Sequence, residues 1–174
     1  MSVQKDLVIS EIEQLVVFDL AGEQYGVDIQ SVQEIIRMQN ITKVPKTQEF
    51  VEGIINLRGK VIPVLDLRKR FSLDVTQMSA ETRIVVIEIT GIVIGMIVDA
   101  VSEVLRIPHS SVEPPSPIVA NIDSDFIKGV GKLDDRLIII LDVHKIFSNQ
   151  EKDHLHEVAN KRAMQAKEAK ELKG

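Results

Sequence analysis

Cysteine is absent from this 174-residue chain, as is tryptophan, and one tyrosine and five phenylalanines are its only aromatic side chains. Without cysteine there is no disulfide framework, thiolate zinc site or cysteine nucleophile, and the composition fits a reducing cytoplasm. With aromatics so scarce, the core has to be assembled from Val, Ile and Leu, which suit strands. Long hydrophobic runs are missing too. The longest, Ile92 to Val98, has seven residues and includes Gly95. A bilayer-crossing helix needs ~20 apolar residues, so this run reads as a buried strand, and no direct membrane insertion is expected. The opening MSVQKDLVISEIEQ lacks the basic start and apolar stretch of a secretory signal. Nor is there an excess of positive charge: the net charge of −5 argues against nucleic acid as the main partner, because phosphate binding needs concentrated Lys and Arg.

What is present is a repeat. Phe50 to Phe71, FVEGIINLRGKVIPVLDLRKRF, sets Ile54 and Ile55 before Arg58-Gly59 and Val61, Ile62 and Val64 after it. This predicts a β-hairpin turning at Arg58-Gly59, since glycine accepts positive φ at no steric cost. Asp66 then suits an N-cap for a short helix through Phe71. The pattern returns as FIKGVGKLDDRLIIILDVHKIF from Phe126 to Phe147. Gly22 and Gly26 match Gly91 and Gly95 at an offset of 69 residues, whereas Asp66 and Phe71 match Asp142 and Phe147 at 76. The difference is a seven-residue insertion within the proline-bearing stretch 108–125. Two such units of about five short strands predict a mainly β chain, with two small five-stranded barrels related by internal duplication and packed together. The first unit is placed at about 15–71 and the second at about 83–147, with 72–82 as linker.

Strands are expected at 16–20, 25–27, 83–89 and 92–98. DIQSVQEIIR puts Ile29, Val32 and Ile36 at i, i+3 and i+7, a helical apolar face, and DAVSEVLR is expected to form a comparable short helix. Residues 148–174 form a charged helical tail with i, i+4 ion pairs. Its only apolar seam is Leu155, Val158, Met164 and Leu172, so it reads as a solvated helix.

A search for catalytic chemistry finds little. Gly129 and Gly131 fall within a strand rather than a phosphate loop. Asp66 and Asp142 could suggest a hydrolase, but helix capping accounts for both. His154 and His156 point to opposite sides of a helix and cannot share a metal. The two hairpin turns are more informative. Asn56-Leu57-Arg58-Gly59 corresponds to Lys132-Leu133-Asp134-Asp135, so one turn offers a guanidinium and the other two carboxylates. In addition, Ile29, Val32, Ile35 and Ile36 exceed what one narrow stripe can bury, which leaves apolar surface for a partner.

YGVDIQSVQEI, VPKTQEFVEGIINLRGKVIPVLDLR, GMIVDAVSEVLRI and FIKGVGKLDDRLIIILDVHKIF, in this order, resemble the CheW-type bacterial chemotaxis coupling proteins from about Leu15 to Phe147. The resemblance implies SH3-like barrels and a non-catalytic cytoplasmic adaptor without cofactor or metal. It would join the cytoplasmic tip of methyl-accepting chemoreceptors to the regulatory domain of the CheA-type histidine kinase at the inner face of the membrane. It would be a monomer alone and would assemble in arrays. Receptor contact is implied for Val32, Glu34, Gly53 and Arg58, with Asn56 of the same motif, and for groove positions Ile29, Ile35 and Val98. The kinase-binding residues are not assigned. Other readings are the CheW-like domain of a receiver-containing adaptor and, in a different class, a small-barrel nucleic-acid binder.

Overall fold

The computed structural model describes residues 12–75, 77–115 and 124–160. Eleven strands are present among them: β1 (Ile12–Leu20), β2 (Glu23–Asp28), β3 (Val32–Arg37), β4 (Val51–Leu57), β5 (Lys60–Asp66), β6 (Arg83–Ile89), β7 (Ile92–Val98), β8 (Ala100–Pro108), β9 (Val112–Glu113), β10 (Ile127–Leu133) and β11 (Arg136–Leu141). They form a six-stranded sheet, β8-β1-β2-β11-β10-β9, and a five-stranded sheet, β3-β6-β7-β5-β4.

The duplication is visible in the pairing. Val17 lies opposite Gly26 as Val86 lies opposite Gly95, and Asn56 opposite Val61 as Lys132 opposite Leu137. The two parallel junctions repeat as well, Val64 beside Gly95 and Ile140 beside Gly26. The sheets nevertheless cut across the sequence repeats. Each takes β-strands from both halves, so the units expected at 15–71 and 83–147 are repeats of sequence and not separate sheets. The parallel partner of β5 lies on β7, and that of β11 on β2, which commits each half to the other.

Two elements expected as helices are strands. Val32–Arg37 runs beside β6, after a single 3-10 turn at Ile29–Ser31, and Ala100–Pro108 runs beside β1. Val32, Glu34 and Ile36 alternate with Gln33, Ile35 and Arg37 as less and more exposed positions. Val32 and Ile36, four apart, fit one face of a strand as well as one face of a helix, while Ile29 stands outside the strand in the 3-10 turn. A segment this short gains too few hydrogen bonds to repay helix nucleation, while β6 offers it a ladder edge.

Three apolar clusters make up the core. One lies within the five-stranded sheet (Ile55, Ile62, Val64, Ile84, Val86, Ile97), joined by Ile36 of β3 and Leu57 of β4, the two ends of that sheet. A second lies within the other sheet around Leu15, Val17, Ile107, Ile138 and Ile140. Each sheet thus curls round its own apolar interior, as SH3-like sheets do. The third and largest joins the two sheets and contains Phe18, Tyr25, Phe71, Phe147 and Leu155. The few aromatics are concentrated there: Phe18, Tyr25, Phe71 and Phe126 follow one another at ring-centre distances of 6.1, 6.3 and 5.5 Å, and Phe50 meets Phe147 at 5.8 Å.

Residues 149–160 are helical, as expected. The helix is not merely solvated, however: Leu155 and Val158 are buried, Leu155 in the cluster between the sheets. Its start is fixed by a reciprocal capping box. Glu151 N–H donates to Ser148 Oγ at 3.1 Å and Ser148 N–H donates to Glu151 Oε1 at 2.8 Å. Glu151 also pairs with Arg70 at 3.3 Å, and the Arg70 guanidinium lies over the rings of Phe50, Phe126 and Phe147 at 5.3, 4.9 and 5.6 Å. Met164 and Leu172 lie outside the described residues.

Candidate partner-binding site

The β4–β5 hairpin turns where the sequence predicts. Arg58 and Gly59 take φ of 52° and 87°, the two left-handed positions of a type I′ turn. Asn56 Oδ1 accepts from Gly59 N–H at 2.8 Å and braces the turn from within. A left-handed arginine is costly, at about 1–2 kcal/mol. Ala21 and Thr90 occupy the same corner of their own hairpins, so this strain belongs to the fold and is not in itself a functional signal.

The turn projects Arg58 across to β3, at the opposite end of the sheet. There NH1 donates to Glu34 Oε1 at 3.0 Å and NH2 pairs with Glu34 Oε2. The bidentate pair is open to solvent, with the Arg58 side chain 70% exposed and that of Glu34 28%. Hydrogen bonding to Arg58 holds the Glu34 carboxyl below the usual glutamate range, and Glu34 in turn raises Arg58. Beside Glu34, Ile35 is 40% exposed. Ile29 and Val32 are half-buried, packed against the cluster between the sheets. The structure thus groups Glu34, Ile35, Asn56 and Arg58 where the two ends of the sheet meet, and sets Ile29 and Val32 at the entry to the same strand.

Two expected contact residues have a different place. Val98 is fully buried in β7, so it offers a partner no surface. Gly53 is buried in β4 at φ 149°, and a Cβ there would lie 2.1 Å from the Thr42 carbonyl oxygen. It is needed for the close approach of Thr42 to Ile54, which exchange two backbone hydrogen bonds of 2.9 Å.

The repeat could have located residues that the linear reading missed. At the offset of 69, Val98 is the counterpart of Ile29, and Val101, half-buried on β8, is the counterpart of Val32. Glu103 and Val104 likewise match Glu34 and Ile35, and Val104 is 56% exposed. Glu103 also has its own guanidinium, Arg136, at 2.6 Å. Arg136 lies two residues beyond the position that matches Arg58, so aligning the two turns hides it. The halves therefore differ less than Arg58 against Asp134-Asp135 suggests.

The paired aspartates serve the fold. The carboxylate of Asp66 accepts from Arg68 N–H at 3.0 Å and binds the Arg68 guanidinium, while that of Asp142 accepts from His144 N–H at 3.0 Å. Among the described residues no three His, Asp or Glu side chains come together as a metal site, and no helix is long and apolar enough to cross a membrane.

Two curled, mutually interlocked sheets, each around its own apolar interior, define a mainly β protein of the SH3-like kind. Residues 14–151 match the CheW-like domain family, and the chain belongs to it. The Treponema pallidum chemotaxis protein CheW is 35% identical over 151 residues, covering 84% of this chain and 87% of that one. That of Klebsiella aerogenes is 32% identical over 139 residues, covering 80% and 84%. A crystal structure of the scaffolding protein TtCheW from Thermoanaerobacter tengcongensis superposes with a TM-score of 0.74 at 50% identity, covering 80% of this chain and 90% of that one. The chain is a chemotaxis coupling adaptor of this family.

Proposed function

We propose that this adaptor binds the cytoplasmic tip of methyl-accepting chemoreceptors through Ile29, Val32, Glu34, Ile35 and Arg58. It holds that tip next to the regulatory domain of the CheA-type kinase, in the cytoplasm at the inner face of the membrane. Alone it is a monomer, and with both partners it enters an array. Asn56 and Gly53 contribute by shaping the hairpin that presents Arg58. The observation that carries this reading is the solvent-open Glu34–Arg58 pair beside exposed Ile35. A receptor carboxylate can take one arm of the guanidinium at little desolvation cost, while apolar side chains of a receptor helix cover Ile35 and Val32. Burying an anchor such as Val32 contributes ~1.5–3 kcal/mol at most, less the cost of ordering the partner.

The test is co-sedimentation with receptor-containing membranes and the kinase. The wild-type chain is expected to form the ternary complex. Arg58→Ala and Val32→Ala are expected to lower its yield with the thermal midpoint nearly unchanged, and higher salt is expected to lower the wild-type yield toward that of Arg58→Ala. Full recovery of the complex with both variants would sink this assignment of the surface. A shift of nucleic acid by the protein would favour the other class of function.

A further inference from the structure

The chain changes sheets once in each repeat. In the first it leaves β2 of the six-stranded sheet, passes through Ile29–Ser31 and enters β3 of the five-stranded sheet. In the second it leaves β7 of the five-stranded sheet and enters β8 of the six-stranded one, with Asp99 alone between Val98 and Ala100.

The second crossing is held from every side. Asp99 N–H donates to the Asp19 carbonyl at 3.0 Å. Its Oδ2 accepts from Ala21 N–H in the β1–β2 turn at 2.8 Å, and its Oδ1 accepts from Arg68 NH1 at 3.1 Å. Arg68 is 1% exposed and is also gripped by Asp66, Nε to Oδ1 at 3.0 Å and NH2 to Oδ2 at 2.9 Å. A buried guanidinium from the first repeat therefore pins a crossing in the second, and through it the β1–β2 turn. In the first crossing, the position of Asp99 is taken by Gln30 and that of Arg68 by His144, and both are exposed. It has a local hydrogen bond, Asp28 Oδ1 accepting from Gln30 N–H at 2.9 Å on the protein surface.

We propose that the Asp66–Arg68–Asp99 triad is a positioning element that fixes one crossing of the fold, leaving the other, which carries Ile29 and Val32, as the one that yields when a partner seats. The second half of this statement rests on the receptor assignment above; the first does not. Buried ion pairs are often no more stabilising than apolar substitutes, and in some proteins their role is to specify one arrangement among several. Here the arrangement specified is the seating of β8 on β1 directly after the chain leaves the five-stranded sheet. Arg68 and Asp99 touch no partner in this scheme. They act through the crossing; among the described residues the first crossing has exposed Gln30 and His144 where the second has Asp99 and the buried Arg68.

Residue-resolved amide exchange on the full chain tests this. In the free protein, Asp99 and Val101 are expected to be protected roughly tenfold or more above Gln30 and Val32. Asp99→Asn, which keeps the shape and removes the charge, is expected to lower protection roughly tenfold at Ala21 and along β8 while β4 and β5 keep theirs. A receptor cytoplasmic fragment is expected to raise protection at Gln30 and Val32 and leave Asp99 and Val101 as they were. Equal protection of the two crossings, or an Asp99→Asn variant with unaltered β8, would overturn the proposal. A uniform fall at all amides would show only global destabilisation and would count against it too. If the fragment fails to bind the wild type, the receptor assignment falls, while the free-protein comparison still judges the clamp.

Discussion

At the scale of single residues, Glu34 and Arg58 are the pair whose behaviour most directly reports on the site. Arg58 holds the Glu34 carboxyl below its ordinary range in the folded chain. Whatever the pair contributes to stability is therefore present at neutral pH, and is lost only as pH falls through the depressed folded value. Neutral-range pH changes should leave the site alone. An NMR titration of the Glu34 side chain should show the low value, and Arg58→Ala should return it to the usual glutamate range. A Glu34 titration that ignores the loss of Arg58 would mean that the pair does not persist in solution. The pair was only half legible in the sequence. Arg58 stood out at the tip of a predicted hairpin, but its partner lies 24 residues away, and only the curl of the sheet brings them together. Val98 shows the opposite error, since a position inferred from a motif is exposed or buried according to which strand face the fold turns inward.

At the scale of elements, Gly53 and the C-terminal helix are the two points where local structure depends on tertiary contact. Gly53→Ala would drive a methyl group into the Thr42 carbonyl and break the Thr42–Ile54 bridge. Chemical denaturation should show a loss on the order of 2 kcal/mol or more. Weakened receptor binding by this variant would reflect a displaced hairpin, not a lost contact. Leu155→Ala empties a site in the cluster between the sheets and should cost about 2–5 kcal/mol by the same measurement. A much smaller loss would mean that the helix sits loosely on the sheets. The strands and hairpin turns were readable because alternation and left-handed turn positions are local properties. The segments after β2 and β7 were not. Val32 and Ile36 satisfy both periods, and the choice of strand depended on β6 having an edge to offer.

At the scale of the whole molecule, the exchange of strands between repeats decides how stability and function are shared. Because β5 pairs with β7 and β2 with β11, neither half can keep both its partners if cut at 72–82. The polar counterpart of this exchange is Arg68. Replacing it with Met would leave Asp66 and Asp99 without their shared guanidinium. That change should cost about 3–5 kcal/mol in the unfolding of the full chain. A near-neutral result would show that the two carboxylates find protons or other donors cheaply.

The sequence by itself determined the mainly β character, the duplication and its two offsets, the Arg58 hairpin, the Asp66 cap and the membership of a coupling family. All but the last follow from spacing and residue type over short stretches, and the last from the resemblance of four segments to that family's motifs. Tertiary structure alone decided which sheet each strand joins, that Glu34 closes onto Arg58 while Glu103 closes onto Arg136, that Val98 is sealed, and that Leu155 anchors the C-terminal helix. Those outcomes turn on contacts between segments far apart in the chain. No local period records them, because they exist only once two curled sheets share a core.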